Sequence, residues 1–422
     1  MQDILLEKFF EMPRWLSALD RGIAKDIRKD QLYQLTKPEV RANMYAAIRD
    51  HKYRIAPPHA ALIPKDTPGE FRTVFVNEPA DRIILSIAND LLFEMCPDMI
   101  HPSCKSYLKG VGCGQVVQQV SKIIVESAEN IIGWKSDLSK FFDTVPIRYI
   151  DKTFNEVEKR TGPSALLDLI RDYYHSDIYF DTEGNLTSAY QSLKQGCAVA
   201  AFLADAVLYD VDKGMCELFE GFYRRYSDDM IYLGDDHEDA KQYLEKQLSA
   251  KDMKLNPKKV EPISKDRWVR FLGFSIRGAD ITLSGPRIKT FQKEIENRTI
   301  RQRNTTPQRA VNAVNKYLYK GIDGHCWATQ VLPVVNVKKD IDTLNAFVLD
   351  CLRATATGKR RLGGLGYVQG LDEGCILRGR GRNVSSNRSK TPARVEGYLS
   401  LGCMRNALLT RRAVYNTLAA SL

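Results

Sequence analysis

Apolar positions recur at helical spacing from Ile4 to Phe10 and again, more strongly, over residues 37–50. The second segment carries start signals: Thr36 at the cap, Pro38 in the first turn and Glu39 three residues on predict a capping box. Residues 71–76, Phe-Arg-Thr-Val-Phe-Val, predict a strand, and helices are expected over 82–95, closed by Pro97, and over 115–128. A short strand over 131–136 then leads into Asp137, and helical segments follow across 147–174. A small-residue helix is expected near 197–218, then two apolar strands, Phe222–Tyr226 and Met230–Leu233, joined at Asp228-Asp229. An amphipathic helix from His237 to Ala250 comes next, followed by strands near 259–262, 268–276 and 280–283. Helices on one face of an antiparallel sheet make this an α+β pattern. Past residue 286 the periodicity is helical throughout, over 287–303, 307–320, 337–355 and 403–420, and no internal repeat is visible. The exception is 358–394, rich in Gly, Arg, Lys, Ser and Asn, which reads as a long basic loop ordered by its ligand.

Composition adds little to this picture until charge is mapped along the chain. The 422 residues suffice for two or three packed units, and 44% hydrophobic with 27% charged residues describes an ordinary globular protein. No run of 18 apolar residues occurs, and the acidic start Met1-Gln2-Asp3 lacks the form of a signal peptide. Nine cysteines without Cys-x-x-Cys spacing argue against a zinc ribbon or disulfide framework and fit a reduced cytoplasm. The net charge of +10 is uneven: residues 286–422 hold 24 Lys+Arg against 9 Asp+Glu, whereas the rest is mildly acidic. A basic third on an acidic body suggests a surface for a polyanion, with a solvated basic face as the alternative.

Three carboxylates carry the candidate chemistry. Asp137 ends a strand, and Asp228-Asp229 sit at a hairpin tip about 90 residues later. Strand ends and tight turns hold carboxylates rigidly over a cleft, as a pair of divalent ions about 4 Å apart requires. Such ions are hard and take oxygen ligands, and Mg²⁺ needs only one or two carboxylates beside substrate phosphates. Alone, Tyr226-Ser227-Asp228-Asp229 is weak, since a Tyr-x-Asp-Asp string arises by chance a few times in a hundred chains of this length.

Its partners make it strong. Ser136-Asp137-Leu138-Ser139-Lys140-Phe141-Phe142-Asp143-Thr144-Val145-Pro146, Lys194-Gln195-Gly196, the Tyr-Ser-Asp-Asp hairpin, Leu255-Asn256-Pro257-Lys258-Lys259 and Phe271-Leu272-Gly273-Phe274 stand in one order. Together with Ile63-Pro64-Lys65, Phe71-Arg72 and Asp81-Arg82 they resemble the reverse transcriptases, most closely the bacterial group II intron-like branch, over residues 54–276. The resemblance implies a right-hand polymerase: a helical N-terminal extension (1–53), fingers (54–130), palm (131–285) and an α-helical thumb with a basic C-terminal region (286–422). It implies two Mg²⁺ ions, with Mn²⁺ a substitute, on Asp137 and Asp228, assisted by Asp229 and the Leu138 carbonyl. Lys65 and Arg72 would grip the incoming deoxynucleoside triphosphate, or else form an ordinary exposed basic pair. Gln195 and Gly196 would lie against nucleotide and template, and Lys258 or Lys259 would protonate the pyrophosphate. Phe271, Leu272 and Gly273 would hold the primer end, or simply form a buried hairpin core. Phe142, five residues after Asp137, matches the bulky gate that excludes a 2′-hydroxyl; the alternative is a core phenylalanine, with Phe141 pointing the opposite way along a strand.

Departures from the family pattern narrow the subgroup. Cys197-Ala198-Val199-Ala200-Ala201 follows Gln-Gly where Ser-Pro is usual three residues on, Ser227 replaces the commoner Ala, and Asp143 is shared with viral RNA polymerases. No zinc or His-rich nuclease segment follows the thumb, and the retron Asn-Ala-x-x-His and diversity-element Ser-Gln strings are missing. What remains is similar to stand-alone bacterial reverse transcriptases of antiphage defence that copy an adjacent non-coding RNA into DNA. Lys359, Arg360, Arg361, Arg378, Arg380, Arg382, Arg388, Lys390 and Arg394 would then seat that structured RNA by shape and backbone. Template-independent DNA synthesis of the abortive-infection type and an RNA-binding, maturase-like scaffold stay open as alternatives. Oligomeric state is not legible.

Overall fold

The computed structural model describes residues 2–23, 27–65, 69–127, 133–188, 191–302, 305–320 and 326–357, and two short strands at Leu365–Tyr367 and Leu377–Gly379. The chain divides into two compact units, residues 1–111 with 132–262 and residues 112–131 with 263–422. The helix Cys113–Glu126 therefore folds with the C-terminal unit.

The first unit opens with helices Ile4–Phe9 and Met12–Asp20. Asp3 caps the first, accepting from the Leu6 amide at 2.9 Å, while its second oxygen accepts from the Ala165 amide at 2.8 Å. Leu5, Leu6, Phe9 and Trp15 are buried in one cluster with Ile84, Ile87, Leu91 and Leu92 of the helix Pro79–Met95. Each fully buried side chain of this size contributes about 2 kcal/mol. The helix Pro38–Arg49 forms as expected but starts on Lys37, without a side-chain cap. The expected capping box is absent because the N-cap is Lys37, which leaves Thr36 one residue outside the helix, its hydroxyl donating to the Tyr33 carbonyl at 2.8 Å.

Its strands are β1 (His59–Pro64), β2 (Phe71–Val76), β3 (Gly133–Asp137), β4 (Ile178–Phe180), β5 (Leu186–Ser188), β6 (Phe222–Tyr226), β7 (Asp229–Leu233) and β8 (Glu261–Ile263), the last ending at the boundary. They form two sheets, ordered β2-β1-β4-β5 and β6-β7-β3-β8. The second has the antiparallel register that matters below: Asp137 pairs with Asp229, and Tyr226 pairs with Asp229 from the other side. Helices Ile147–Thr161, Ala165–His175, Ala200–Ala206, Tyr209–Glu217 and His237–Ala250 complete the unit.

The second unit contains β9 (Val269–Phe271), β10 (Phe274–Arg277) and β11 (Asp280–Leu283), with helices Gly285–Arg298, Pro307–Asn315 and Lys338–Thr357. The strand expected over 268–276 is two strands, because Leu272 and Gly273 both have positive φ (49° and 80°), as a type I′ turn requires. The helix expected over 307–320 ends at Asn315 and continues as a π-helical turn, Lys316–Lys320. No helix among the described residues is long and apolar enough to cross a membrane. The helix expected over 403–420 lies outside the described residues.

Candidate active site

β3 and β7 are buried almost throughout, and their antiparallel register leaves Asp137 and Asp229 side by side at one end of the pair. The loop between β6 and β7 is only Ser227-Asp228, with Ser227 in the left-handed region at φ 57°. The Asp228 carbonyl accepts from the Leu138 amide at 3.1 Å, so the turn is stitched to the end of β3. Behind Asp137, its own carbonyl accepts from the Asn256 amide at 2.8 Å, and the Ser139 amide donates to Lys254 at 2.9 Å. The segment Leu255-Asn256-Pro257-Lys258-Lys259 is thereby held against the first carboxylate.

That placement brings Lys259 into the site: its ammonium donates to Asp137 Oδ2. Lys258 is exposed, and only its backbone amide is engaged, donating to Asn256 Oδ1 at 3.2 Å. Asp137 Oδ1 is buried with no hydrogen-bond partner. Burial, then the charges of Asp228 and Asp137, pushes the Asp229 carboxyl up to about 7. Asp228 is also raised, by burial first and then Asp137, with Lys259 and Arg72 pulling the other way. Burial works against the Lys259 ammonium, yet its hydrogen bond and charge attraction to Asp137 leave its pKa above the usual lysine value. Desolvated like charges of this kind favour a counter-cation. Among the described residues no group of three acidic, histidine or cysteine side chains forms a metal-holding set by itself. Fewer protein ligands suit Mg²⁺, which fills its shell with water and phosphate oxygens.

Lys65 and Arg72 are exposed on the β1–β2 ribbon, where Arg72 pairs with Ile63 and Lys65 lies 3.7 Å from Glu70. Arg72 is close enough to draw down the Asp228 pKa, so the ribbon's charge reaches the carboxylates. Gln195 and Gly196 dock on that ribbon: the Phe75 amide donates to the Gln195 carbonyl at 2.6 Å. Gly196 is needed there, since its φ is 104° and a Cβ would lie 2.6 Å from the Phe75 carbonyl oxygen. The close backbone approach that this glycine permits is thus to Phe75. Beside them Lys194 is buried and donates to the Tyr173 and Ser176 carbonyls, both at 2.6 Å, at the end of the helix Ala165–His175.

Phe142 is half-buried, edge-on to the buried Phe141 at 5.6 Å. The two belong to the short helix Phe141–Thr144, so the expectation that they point oppositely along a strand fails. Lys140, at φ 50°, is the N-cap of that helix, three residues after the strand ends at Asp137. In the second unit Phe271 is buried in the β9–β10 hairpin, as the core alternative required, and Leu272 and Gly273 form its turn. Lys359, Arg360, Arg361, Arg380, Arg382, Arg388, Lys390 and Arg394 lie outside the described residues; Arg378 falls in the short strand Leu377–Gly379.

Sequence reading missed what stands behind the hairpin. β6 was expected to be apolar, yet Arg225 occupies one of its inward positions and is fully buried. Its guanidinium reaches Asp212 through Nε (2.9 Å) and Nη2 (2.6 Å), and the carbonyls of Asp205 (2.9 Å) and Ser227 (3.2 Å). A charged residue at an inward position of an otherwise apolar hairpin was the available signal.

The family model for reverse transcriptase (RNA-dependent DNA polymerase) matches residues 63–276, just over half of the chain. No curated protein matches the chain. Among solved structures, apo telomerase from Candida tropicalis truncated from its C-terminal domain is 13% identical over 54% of this chain and 56% of that one, with a TM-score of 0.39. Telomerase from Candida albicans, solved with a fragment of telomeric RNA, is 10% identical over 75% and 63%, with a TM-score of 0.42. The RNA-dependent RNA polymerase of a human picobirnavirus is 11% identical over 72% and 58%, with a TM-score of 0.47. The chain thus spans less than two thirds of each of these relatives.

Proposed function

Because the chain belongs to the reverse transcriptase (RNA-directed DNA polymerase) family, we propose that it copies an RNA template into DNA at Asp137, Asp228 and Asp229. The observation that carries this reading is the register of β3 against β7, which pairs Asp137 with Asp229 beside the Asp228 turn. In the reaction the primer 3′-hydroxyl attacks the α-phosphorus, a new P–O bond forms, and the bond to pyrophosphate breaks. Two Mg²⁺ ions, for which Mn²⁺ can substitute, would be held by Asp137 and Asp228 with Asp229 and the Leu138 carbonyl, activating the attacking oxygen and neutralising the leaving group. The partnerless Asp137 Oδ1 and the raised Asp228 and Asp229 pKa values fit such ligands.

The remaining residues bind and orient. Arg72 and Lys65 grip the triphosphate from the ribbon. Lys259, already at the carboxylates, gives its proton to the departing pyrophosphate, a role that Lys258, facing solvent, is less well placed to fill. Phe142 walls off the sugar 2′-position, Gln195 and Gly196 support nucleotide and template, and Phe271, Leu272 and Gly273 steady the primer. The motifs as they stand support the group II intron-like branch. The basic C-terminal third supports a structured non-coding RNA as template, with antiphage defence in a bacterial cytoplasm as the setting.

Primer extension on an RNA template with Mg²⁺ tests the core of the reading. Deoxynucleotide incorporation by the intact protein, lost in Asp228→Ala/Asp229→Ala, is expected. Equal use of ribonucleotides would remove Phe142 from its role, and unchanged activity of the double variant would remove the carboxylates from theirs.

A further inference from the structure

Five N–H donors on one rigid fork make arginine suited to holding several acceptors in fixed relation. Arg225 uses that fork entirely inside the protein. Besides the bonds to Asp212, Asp205 and Ser227 given above, Nη1 lies 3.4 Å from the Ala204 carbonyl and 3.5 Å from Asp205 Oδ1. Its acceptors come from the helices Ala200–Ala206 and Tyr209–Glu217 and from the catalytic turn itself. Asp212 is further fixed by the Tyr223 hydroxyl at 3.0 Å, and Asp205 by the Ser106 hydroxyl at 2.5 Å.

A second set of bonds grips the same turn from the segment 103–107. The Arg225 amide donates to the Ser103 carbonyl at 3.1 Å, and the Arg225 carbonyl accepts from the Lys105 amide at 2.9 Å. Two residues on, the Tyr107 hydroxyl meets Ser227 Oγ at 3.0 Å. Ser227 is therefore held by its carbonyl from one side and by its hydroxyl from another, while its own φ is unfavourable for serine. It immediately precedes Asp228.

We propose that Arg225, with Asp212, Asp205 and Tyr107, is a positioning cluster that fixes the Ser227-Asp228 turn, and so the spacing of the Asp228 and Asp229 carboxylates from Asp137. A buried ion pair is a poor device for stability alone, since an apolar filling of equal volume does as well. Arg225 does what an apolar residue cannot: it bonds the turn carbonyl. The proposal rests on the metal-assisted reading above.

The test uses the full chain in primer extension, with the folded fraction of each variant fixed by circular dichroism melting. Arg225→Lys keeps the charge but loses the fork. At saturating deoxynucleotide, its kcat per folded molecule should fall, and its half-saturating Mg²⁺ concentration rise, each by about 10–100-fold. With Mg²⁺ saturating, KM for the deoxynucleotide should stay within about twofold, because Lys65 and Arg72, which grip the triphosphate, are untouched. Tyr107→Phe, a gentler change for the case where Arg225→Lys does not fold, should shift kcat and the Mg²⁺ requirement the same way at an unchanged melting temperature. Wild-type kcat and Mg²⁺ requirement in folded Arg225→Lys, or in Tyr107→Phe if that is the variant that folds, would overturn the proposal. A wild-type protein that incorporates nucleotide without needing divalent metal would overturn the underlying reading and this one with it.

Discussion

The β6–β7 and β9–β10 hairpins each reverse through two residues, and each places a non-glycine residue in the left-handed region, Ser227 at φ 57° and Leu272 at φ 49°. After Leu272 comes Gly273, whose φ of 80° carries no Cβ penalty, so residue identity alone nearly encodes that turn. After Ser227 comes Asp228, and no glycine assists. The strain there is offset by bonds from distant parts of the chain, through Arg225 and Tyr107. A turn kept by its own sequence is robust but mute. One kept by tertiary bonds can carry a reactive side chain where glycine would stand, and it is as exact as the cluster behind it.

The largest expected difference between the hairpins is functional. Replacing Asp228 and Asp229 by Asn keeps the size and shape of both side chains, so the protein should remain folded. Primer extension should nevertheless drop about a thousandfold or more, the equivalent of several kcal/mol of lost charge stabilisation. Comparable activity would place the chemistry elsewhere.

Next in size is a pH effect confined to the buried cluster. Burial raises the Asp205 carboxyl to about 6, against the opposing pull of Arg225. The native chain then keeps a proton that the unfolded chain has released, so this group's contribution is complete below about pH 4 and is lost as pH climbs through about 6. The gap from the ordinary 3.8 corresponds to roughly 3 kcal/mol as an order of magnitude. Urea unfolding of Asp205→Asn and wild type at several pH values should show the difference moving in the variant's favour between pH 4 and 6.5. A flat difference would mean that Asp205 titrates normally.

Smaller effects separate the turns themselves. Gly273→Ala forces a side chain into φ 80° and brings its Cβ to 3.0 Å from Arg287 Nη1, so a loss of about 1 kcal/mol is expected in denaturant unfolding. Ser227→Gly should cost less than about 0.5 kcal/mol, because the relief of φ offsets the lost Tyr107 bond, yet it should lower kcat. A stable, fully active Ser227→Gly would make the two hairpins equivalent. Smallest of all, Leu272→Asn creates the Asn-Gly pair that type I′ turns prefer, with a gain of about 0.5 kcal/mol.

Much of this molecule was legible where periodicity was strong. The helix His237–Ala250 and the strands Phe71–Val76 and Asp280–Leu283 lie where the pattern put them. That Asp137 and Asp228-Asp229 share a site was implied by the resemblance of the ordered motifs to the reverse transcriptases, and the register of β3 on β7 sets Asp137 beside Asp229. Other features depend on partners far along the chain. β1 lacks alternation, its burial running mostly exposed from His59 to Pro64, and it exists because β2 pairs with it along its full length. Thr36 had the right identity for a cap but stands one residue too early, the cap being Lys37, and Phe141 and Phe142 lie in a short helix that starts after Lys140, the strand having ended at Asp137. Arg225 was hidden because its acceptors, Asp205 and Asp212, lie well before it on other elements.

The dock of Gln195 and Gly196 on Phe75 has a kinematic consequence. With a 2.6 Å hydrogen bond and no space even for a methyl group between the backbones, the ribbon and the loop cannot slide past each other. Lys194 extends the weld to the end of the helix Ala165–His175. Arg72, three residues before Phe75 on the same strand, and Gln195 are thus tied to one backbone junction, so a shift of the ribbon at Phe75 is passed directly to the loop that carries Gln195.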